Sequence, residues 1–145
     1  MSQQPSSLQP VGWREYGALP ELGIERIKMK VDTGARTSCL HAFRLESFER
    51  DGETWLDIYV HPKQNSDEEH HCQARVLEQR SVRDSGGHQE MRYVIQTPLI
   101  LGDNRYEVEL TLTNRDTMKF RMLLGREAMK GRFWVDPGAS YLQGD

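Results

Sequence analysis

The chain has 145 residues, 37% hydrophobic and 28% charged, with a net charge of −3. That is one domain's worth of sequence with apolar residues enough for one core, and it argues against a disordered chain or, on overall charge, a nucleic-acid-binding one. No stretch approaches the roughly 18 apolar residues of a membrane-spanning helix, no apolar run marks an export signal, and two cysteines are too few for a disulfide framework, so a cytoplasmic protein with reduced thiols and neither membrane nor nucleic-acid partners is expected.

Residues 1–10 read as a disordered leader and residues 11–145 as a single domain. Beyond Pro20 the dominant signal is period 2, the mark of half-buried strands. Ile27, Met29 and Val31 alternate with Lys28 and Lys30 in a strand that runs straight into Asp32. Phe43 and Leu45 open another strand, Asp51-Gly52 forms a hairpin turn, and Leu56, Ile58 and Val60 alternate with Asp57 and Tyr59. Pro62–His71 is polar and acidic and reads as an exposed loop. Val76 and Val82 precede Ser85-Gly86-Gly87-His88, and Tyr93, Val94 and Ile95 follow it. Gly102-Asp103-Asn104 turns the chain into the alternation of Tyr106, Val108, Leu110 and Leu112. Asn114-Arg115-Asp116 turns it again, before the apolar strand Phe120-Met122-Leu123-Leu124. Helix is scarce: one or two turns at Arg126–Lys130, between Gly125 and Gly131. Short strands divided by Gly, Asn and Asp turns predict an all-β, closed or sandwich-like fold with one short C-terminal helix. Trp13, Trp55 and Trp134 are expected to anchor the core or an interface.

Asp32-Thr33-Gly34-Ala35 directly follows an apolar strand. The tetrapeptide alone suits an ordinary strand-to-turn exit. An aspartic peptidase, however, needs a carboxylate on a tight loop at a strand end, a small hydroxyl bracing it, and a glycine where backbone and substrate approach. It also needs an apolar strand ending in Gly with a short helix behind the loop, which Leu123-Leu124-Gly125-Arg126 provides.

The stretch Lys30-Val31-Asp32-Thr33-Gly34-Ala35-Arg36-Thr37-Ser38 with Leu40-His41-Ala42 resembles a retropepsin-like family of bacteria and archaea long labelled "ATP-dependent zinc protease". So do Gly12-Trp13-Arg14-Glu15, Leu19-Pro20-Glu21-Leu22-Gly23-Ile24, Leu110-Thr111-Leu112-Thr113-Asn114-Arg115-Asp116 and Met122-Leu123-Leu124-Gly125-Arg126-Glu127-Ala128-Met129. The resemblance implies a retropepsin-like closed barrel, a flap hairpin over the cleft, and catalysis by Asp32 with Thr33 and Gly34. Two carboxylates must share a proton in such chemistry. No second Asp-Thr-Gly or Asp-Ser-Gly occurs, so the resemblance implies a twofold homodimer. It also implies that Gly86 and Gly87 are the flap, although the pair equally suits a plain hairpin turn. Members of the family are associated with ATP-grasp ligases that add glutamates to protein C-termini, which implies an acidic, poly-glutamate tail as protein or peptide substrate.

The sequence departs from viral retropepsins after Ala35. Those continue with two acidic residues, one paired with the Arg of the Gly-Arg sequence; here Arg36 and Thr37 stand instead and Arg126 is retained, in need of Glu127 or another acid. The rim is therefore basic. Arg36, with Ala35 and Arg126, is a candidate for holding a substrate glutamate, or alternatively for a structural salt bridge. His61, His70, His71 and Cys72 are zinc-ligand types, yet three are contiguous and no second cluster or His-Glu-x-x-His occurs. Gly125 to Gly131 leads into Arg132-Phe133 and not Lys-Ser/Thr, so there is no P-loop. Neither zinc, ATP nor another cofactor is expected. Cys39 and His41 read as structural, a cysteine peptidase being remote. The alternative to a peptidase is a non-catalytic module of the same fold that binds acidic tails, with a zinc metallopeptidase as the less favoured third reading.

Overall fold

The computed structural model describes residues 8–83, 86–114 and 119–144. Its strands, in chain order, are β1 (Gln9–Val11), β2 (Arg14–Leu19), β3 (Ile24–Asp32), β4 (Ser38–Ala42), β5 (Arg44–Arg50), β6 (Glu53–Val60), β7 (His70–Arg75), β8 (Glu78–Arg83), β9 (Gln89–Leu101), β10 (Asn104–Asn114), β11 (Met122–Gly125) and β12 (Phe133–Val135). Strands β10, β4, β11, β3, β2 and β9 pair in that order, and β9 pairs back onto β10, closing a six-stranded barrel. Strand β8 continues outward from β9 as a hairpin arm. A separate antiparallel sheet, β5-β6-β7, is inserted between β4 and β8, and β1 pairs in parallel with β12. The all-β, closed-barrel expectation is met.

Alternation explains most of this. Ile27 and Met29 of β3 fill the barrel while Lys28 and Lys30 point away from it, and Leu56, Ile58 and Val60 of β6 are fully buried. Each such core side chain contributes about 1.5–3 kcal/mol relative to exposure. The Asp51-Gly52 turn has positive φ at both residues (52° and 79°) and joins Arg50 directly to Glu53, the two-residue hairpin that its sequence predicted.

Several expectations are corrected. Strand β1 begins at Gln9, inside the stretch expected as a leader. Strand β4 was not anticipated: it lies between β10 and β11 with every residue buried, so no polar–apolar alternation marks it. His70 and His71 belong to β7, not to a loop. The C-terminal helix is a single 3-10 turn, Arg126–Ala128, and a second one, Pro20–Leu22, closes the β2–β3 connection. Trp134 is 50% exposed, because Phe133 takes the inward position on β12, and Trp13 and Trp55 are only half-buried. Residues 1–7, Ser85 of the expected flap, and Arg115 and Asp116 of the expected turn lie outside the described residues. Among the described residues, no helix is long and apolar enough to cross a membrane.

Glu15 accounts for the way the chain ends are tied. It is fully buried on β2, and its carboxylate accepts N–H bonds from Gly12 (2.7 Å), Leu142 (2.8 Å) and Gln143 (3.0 Å). A buried carboxylate is tolerable only when its oxygens are satisfied in this way. The C-terminal segment is thereby clasped along β2, with the Arg14 side chain donating to Ser140 Oγ.

Candidate active site

Asp32 is the last residue of β3, and parallel pairing with β11 sets Gly125 beside it. Strand β11 lies between β3 and β4, so residues 33–37 form the loop that steps across its end. The crossing is tight. A Cβ built on Gly125 would meet the Thr37 carbonyl carbon at 2.7 Å and the Ser38 nitrogen at 2.9 Å, so only glycine allows the approach. The Gly125 N–H donates to Ser38 Oγ at 2.9 Å. The bracing hydroxyl here is therefore that of Ser38, the buried first residue of β4, whereas Thr33 is exposed. Only the position of Ser38 in the same motif could have marked it.

The loop is held from both sides. Ala35 N donates to the Asp32 carbonyl (3.2 Å), and Gly34 N donates to Asp32 Oδ1 (3.0 Å), which aims the carboxylate. From the 3-10 turn, Arg126 N donates to the Ala35 carbonyl (2.9 Å) and Glu127 N to the Arg36 carbonyl (3.0 Å). The Arg126 guanidinium completes the set, with Nη1 at 3.4 Å from the Thr33 carbonyl and 3.3 Å from the Gly34 carbonyl. The acidic partner expected for Arg126 is thus replaced by two loop carbonyls. Carbonyl oxygens carry enough partial charge to satisfy a guanidinium that sits beside them.

Asp32 is half-buried, and Thr33, Gly34 and Arg36 are exposed. Among the described residues, neither the Thr33 hydroxyl nor the Arg36 guanidinium has a hydrogen-bond partner. One Asp32 oxygen is likewise left without a protein donor. Beside the loop, Thr33, Arg126, Met129, Phe133 and Val135 line a shallow hollow. Gly86 and Gly87 are exposed at the end of the β8–β9 hairpin, Gly87 with φ +84°. The chain therefore presents one carboxylate on a braced, solvent-facing loop.

The candidate zinc ligands do not converge. On β7 His71 is directed outward, its Nε2 donating to Asp57 Oδ1 at 2.9 Å and its ring stacked on Tyr59, while His70 contacts the Leu22 carbonyl at 2.7 Å and Cys72 packs against the core. Alternation sends neighbours on a strand to opposite faces, so contiguity in sequence works against shared ligation. His61 stacks on Phe43. No group of three or more His, Cys, Asp or Glu side chains is arranged to hold a metal among the described residues. The residues do not fit a zinc site. Cys39 is buried and its thiol is pushed up by desolvation, only partly offset by Thr111 and Arg92, which makes it inert as a nucleophile.

A family model described as "RimB-like: Retropepsin-like aspartic endopeptidase RimB" matches residues 10–145. Two curated proteins, each named "Probable alpha-L-glutamate ligase", are similar. The one from Shewanella pealeana is 48% identical over 136 residues, covering 93% of this chain and 30% of the relative. The one from Parasynechococcus marenigrum is 52% identical over 136 residues, covering 93% of this chain and 29% of the relative. The chain thus spans about three tenths of the length of the curated relatives it matches. A crystal structure of a Legionella pneumophila protein of unknown function shares the fold, with a TM-score of 0.76 at 24% identity, over 93% of this chain and 98% of that one. The barrel, the Asp-Thr-Gly loop beside the Gly125 strand and the near full-length match agree: the chain belongs to the RimB-like family of retropepsin-like aspartic endopeptidases.

Proposed function

We propose that this chain is an aspartic peptidase acting as a twofold homodimer, each copy contributing one Asp32, and that it trims glutamate-rich protein tails. The observation that carries the reading is the half-site itself. A single Asp-Thr-Gly loop is stitched to its neighbours by backbone bonds, yet leaves Asp32 with a free oxygen and Thr33 open to solvent. In this reading Asp32 takes a proton from a water while the partner's Asp32, protonated, donates a hydrogen bond to the scissile carbonyl. The water oxygen adds to that carbonyl, and the proton passes on to the leaving amine as the C–N bond breaks. Like charges so close cannot both ionise, which is what holds one carboxyl protonated. The Gly34 N–H fixes the orientation of each carboxylate.

The acidic tail is supported by two observations. Arg36, exposed on the loop and without a protein partner among the described residues, is free to take a glutamate side chain. The relatives are named as probable glutamate ligases, and trimming would break the kind of bond that such a ligase forms. The test is Asp32→Asn: the variant keeps the wild-type melting temperature and loses cleavage of a glutamate-extended protein, followed by mass. Undiminished cleavage by the variant would remove the aspartic mechanism. A second reading, a tail-binding module without catalysis, draws on the matched segment being part of a longer chain named as a ligase in those relatives; it is the outcome if wild type binds the tail and never cuts it.

A further inference from the structure

The outer face of β2 and β3 carries a row of cations that leads to Asp32. Arg26, Lys28 and Lys30 precede Asp32 by six, four and two residues on one strand, so alternation sets all three on the face that Asp32 ends. Across the pair, Arg14 is in register with Lys30 and Tyr16 with Lys28. The side chains meet as this register requires. The Arg26 guanidinium lies 3.8 Å over the Tyr16 ring, Lys28 Nζ is 5.6 Å from that ring and 5.9 Å from Tyr141, and Arg14 sits over Trp13 and Tyr141 at 4.6 and 4.9 Å. Tyr16 and Tyr141 stack on each other at 4.9 Å.

What distinguishes this face is the lack of acid. Several cations elsewhere on the surface are paired with acids: Arg44 with Glu46, Arg75 with Glu53, Arg80 with Glu78 and Glu109. Among the described residues none of Arg14, Arg26, Lys28 and Lys30 forms an ion pair; Lys28 donates to the neutral Gln64 and Arg14 to Ser140. Between Arg26 and Asp32 the strand holds no acidic residue. Four unneutralised cations on one small area of a chain whose net charge is −3 form a strong local field. The aromatic rings beneath Arg14, Arg26 and Lys28 hold those three groups in place without neutralising them.

The spacing matters as much as the sign. Same-face residues of a strand recur every ~7 Å, so Lys30, Lys28 and Arg26 stand about 7, 13 and 20 Å from Asp32 along β3. An extended peptide presents alternate side chains at the same interval. We propose that Arg14, Lys30, Lys28 and Arg26 form a linear subsite that binds successive alternate carboxylates of an extended acidic peptide whose scissile bond lies at Asp32. The inference deepens the proposed function and takes its acidic substrate from that reading. The subsite makes binding depend on tail length: a tail reaching only Lys30 gains little, and one of about six residues on that side engages the whole row.

The experiment measures binding apart from cleavage. Asp32→Asn protein is titrated into fluorescein-labelled diglutamate, octaglutamate and octaglutamine, and the same is done with Arg26→Gln/Lys28→Gln added. Octaglutamate is expected to bind at least about tenfold tighter than diglutamate, and the double change to weaken it about tenfold, since each exposed pair is worth only a few-fold. Diglutamate binding stays within about twofold, the melting temperature holds, Lys28→Arg restores affinity, and added salt erases the length dependence. Octaglutamine binding as tightly as octaglutamate, or octaglutamate binding indifferent to the double change, overturns the subsite. With Asp32 present, cleavage whose rate is independent of tail length and of these two cations also overturns it while leaving the peptidase reading intact. Length-dependent acidic binding in a wild type that never cuts does the reverse.

Discussion

Replacing Gly125 with alanine tests whether the close crossing of β11 and the Asp32 loop is what aims the carboxylate. The added Cβ would stand 2.7 Å from the Thr37 carbonyl carbon and 2.9 Å from the Thr37 oxygen and Ser38 nitrogen, all backbone atoms that no rotamer change can move aside. Ordinary contact begins at about 3.4 Å, so loop and strand must part by about 0.7 Å at this point. Overpacking of this kind costs about 1–3 kcal/mol, a fall in melting temperature of about 3–9 °C in a chain of this size. The same movement stretches the Gly125–Ser38 bond and carries the loop away from the Arg126 and Glu127 donors. A misplacement of 1 Å costs about a hundredfold in rate, so kcat on a glutamate-tailed peptide should fall by several tens of fold. Gly138→Ala is the matched control, because its Cβ would meet nothing closer than 3.7 Å. Thermal melts and steady-state kinetics on both variants read the two effects. Gly125→Ala that melts and turns over like Gly138→Ala would refute the reasoning.

Two further outcomes follow from buried groups. Glu15→Gln keeps a carbonyl oxygen for some of the three N–H groups that the carboxylate now accepts but turns an amide N–H₂ towards the rest, and should cost about 2–3 kcal/mol in a urea melt; loss of less than about 0.5 kcal/mol would show that the clasp on residues 140–143 contributes nothing. Burial pushes the Cys72 thiol from its ordinary 9.0 up to about 12, so the folded state keeps a proton that the unfolded chain gives up. The stability this contributes is complete below pH 9.0 and is lost as pH rises towards about 12, and Cys72→Ala should flatten that part of the melting profile. A profile unchanged by the substitution would count against the assignment.

Much of this was legible in the residues because burial and solvation alternate along β3, β6 and β10, and because Asp51-Gly52 can hardly be anything but a turn. Strand β4 was hidden for the opposite reason: buried on both faces, Ser38-Cys39-Leu40-His41-Ala42 has no contrast to read, and its polar side chains bond across strands, His41 Nδ1 with Thr113 Oγ1 at 2.7 Å. Strand β7 alternates His, Cys and Gln too weakly to stand out from a polar loop. At the site, Asp-Thr-Gly and Gly-Arg were visible as motifs. That Arg126 would serve loop carbonyls and not an acid was not, because backbone acceptors leave no trace in side-chain identity. Nor could the buried role of Glu15 be seen, since two of its three partners are N–H groups more than 120 residues away.

The central claim is that two copies of Asp32 make one catalytic centre, and mixing tests it most directly. Wild-type and Asp32→Asn chains are unfolded together, refolded at fixed total concentration, and assayed on a glutamate-tailed peptide over a range of mixing ratios. If the dyad spans two copies, only wild-type pairs cut, and activity follows the square of the wild-type fraction, about one quarter at an equal mixture. Activity that falls in simple proportion, about one half at an equal mixture, would mean that each chain works alone and would contradict the account.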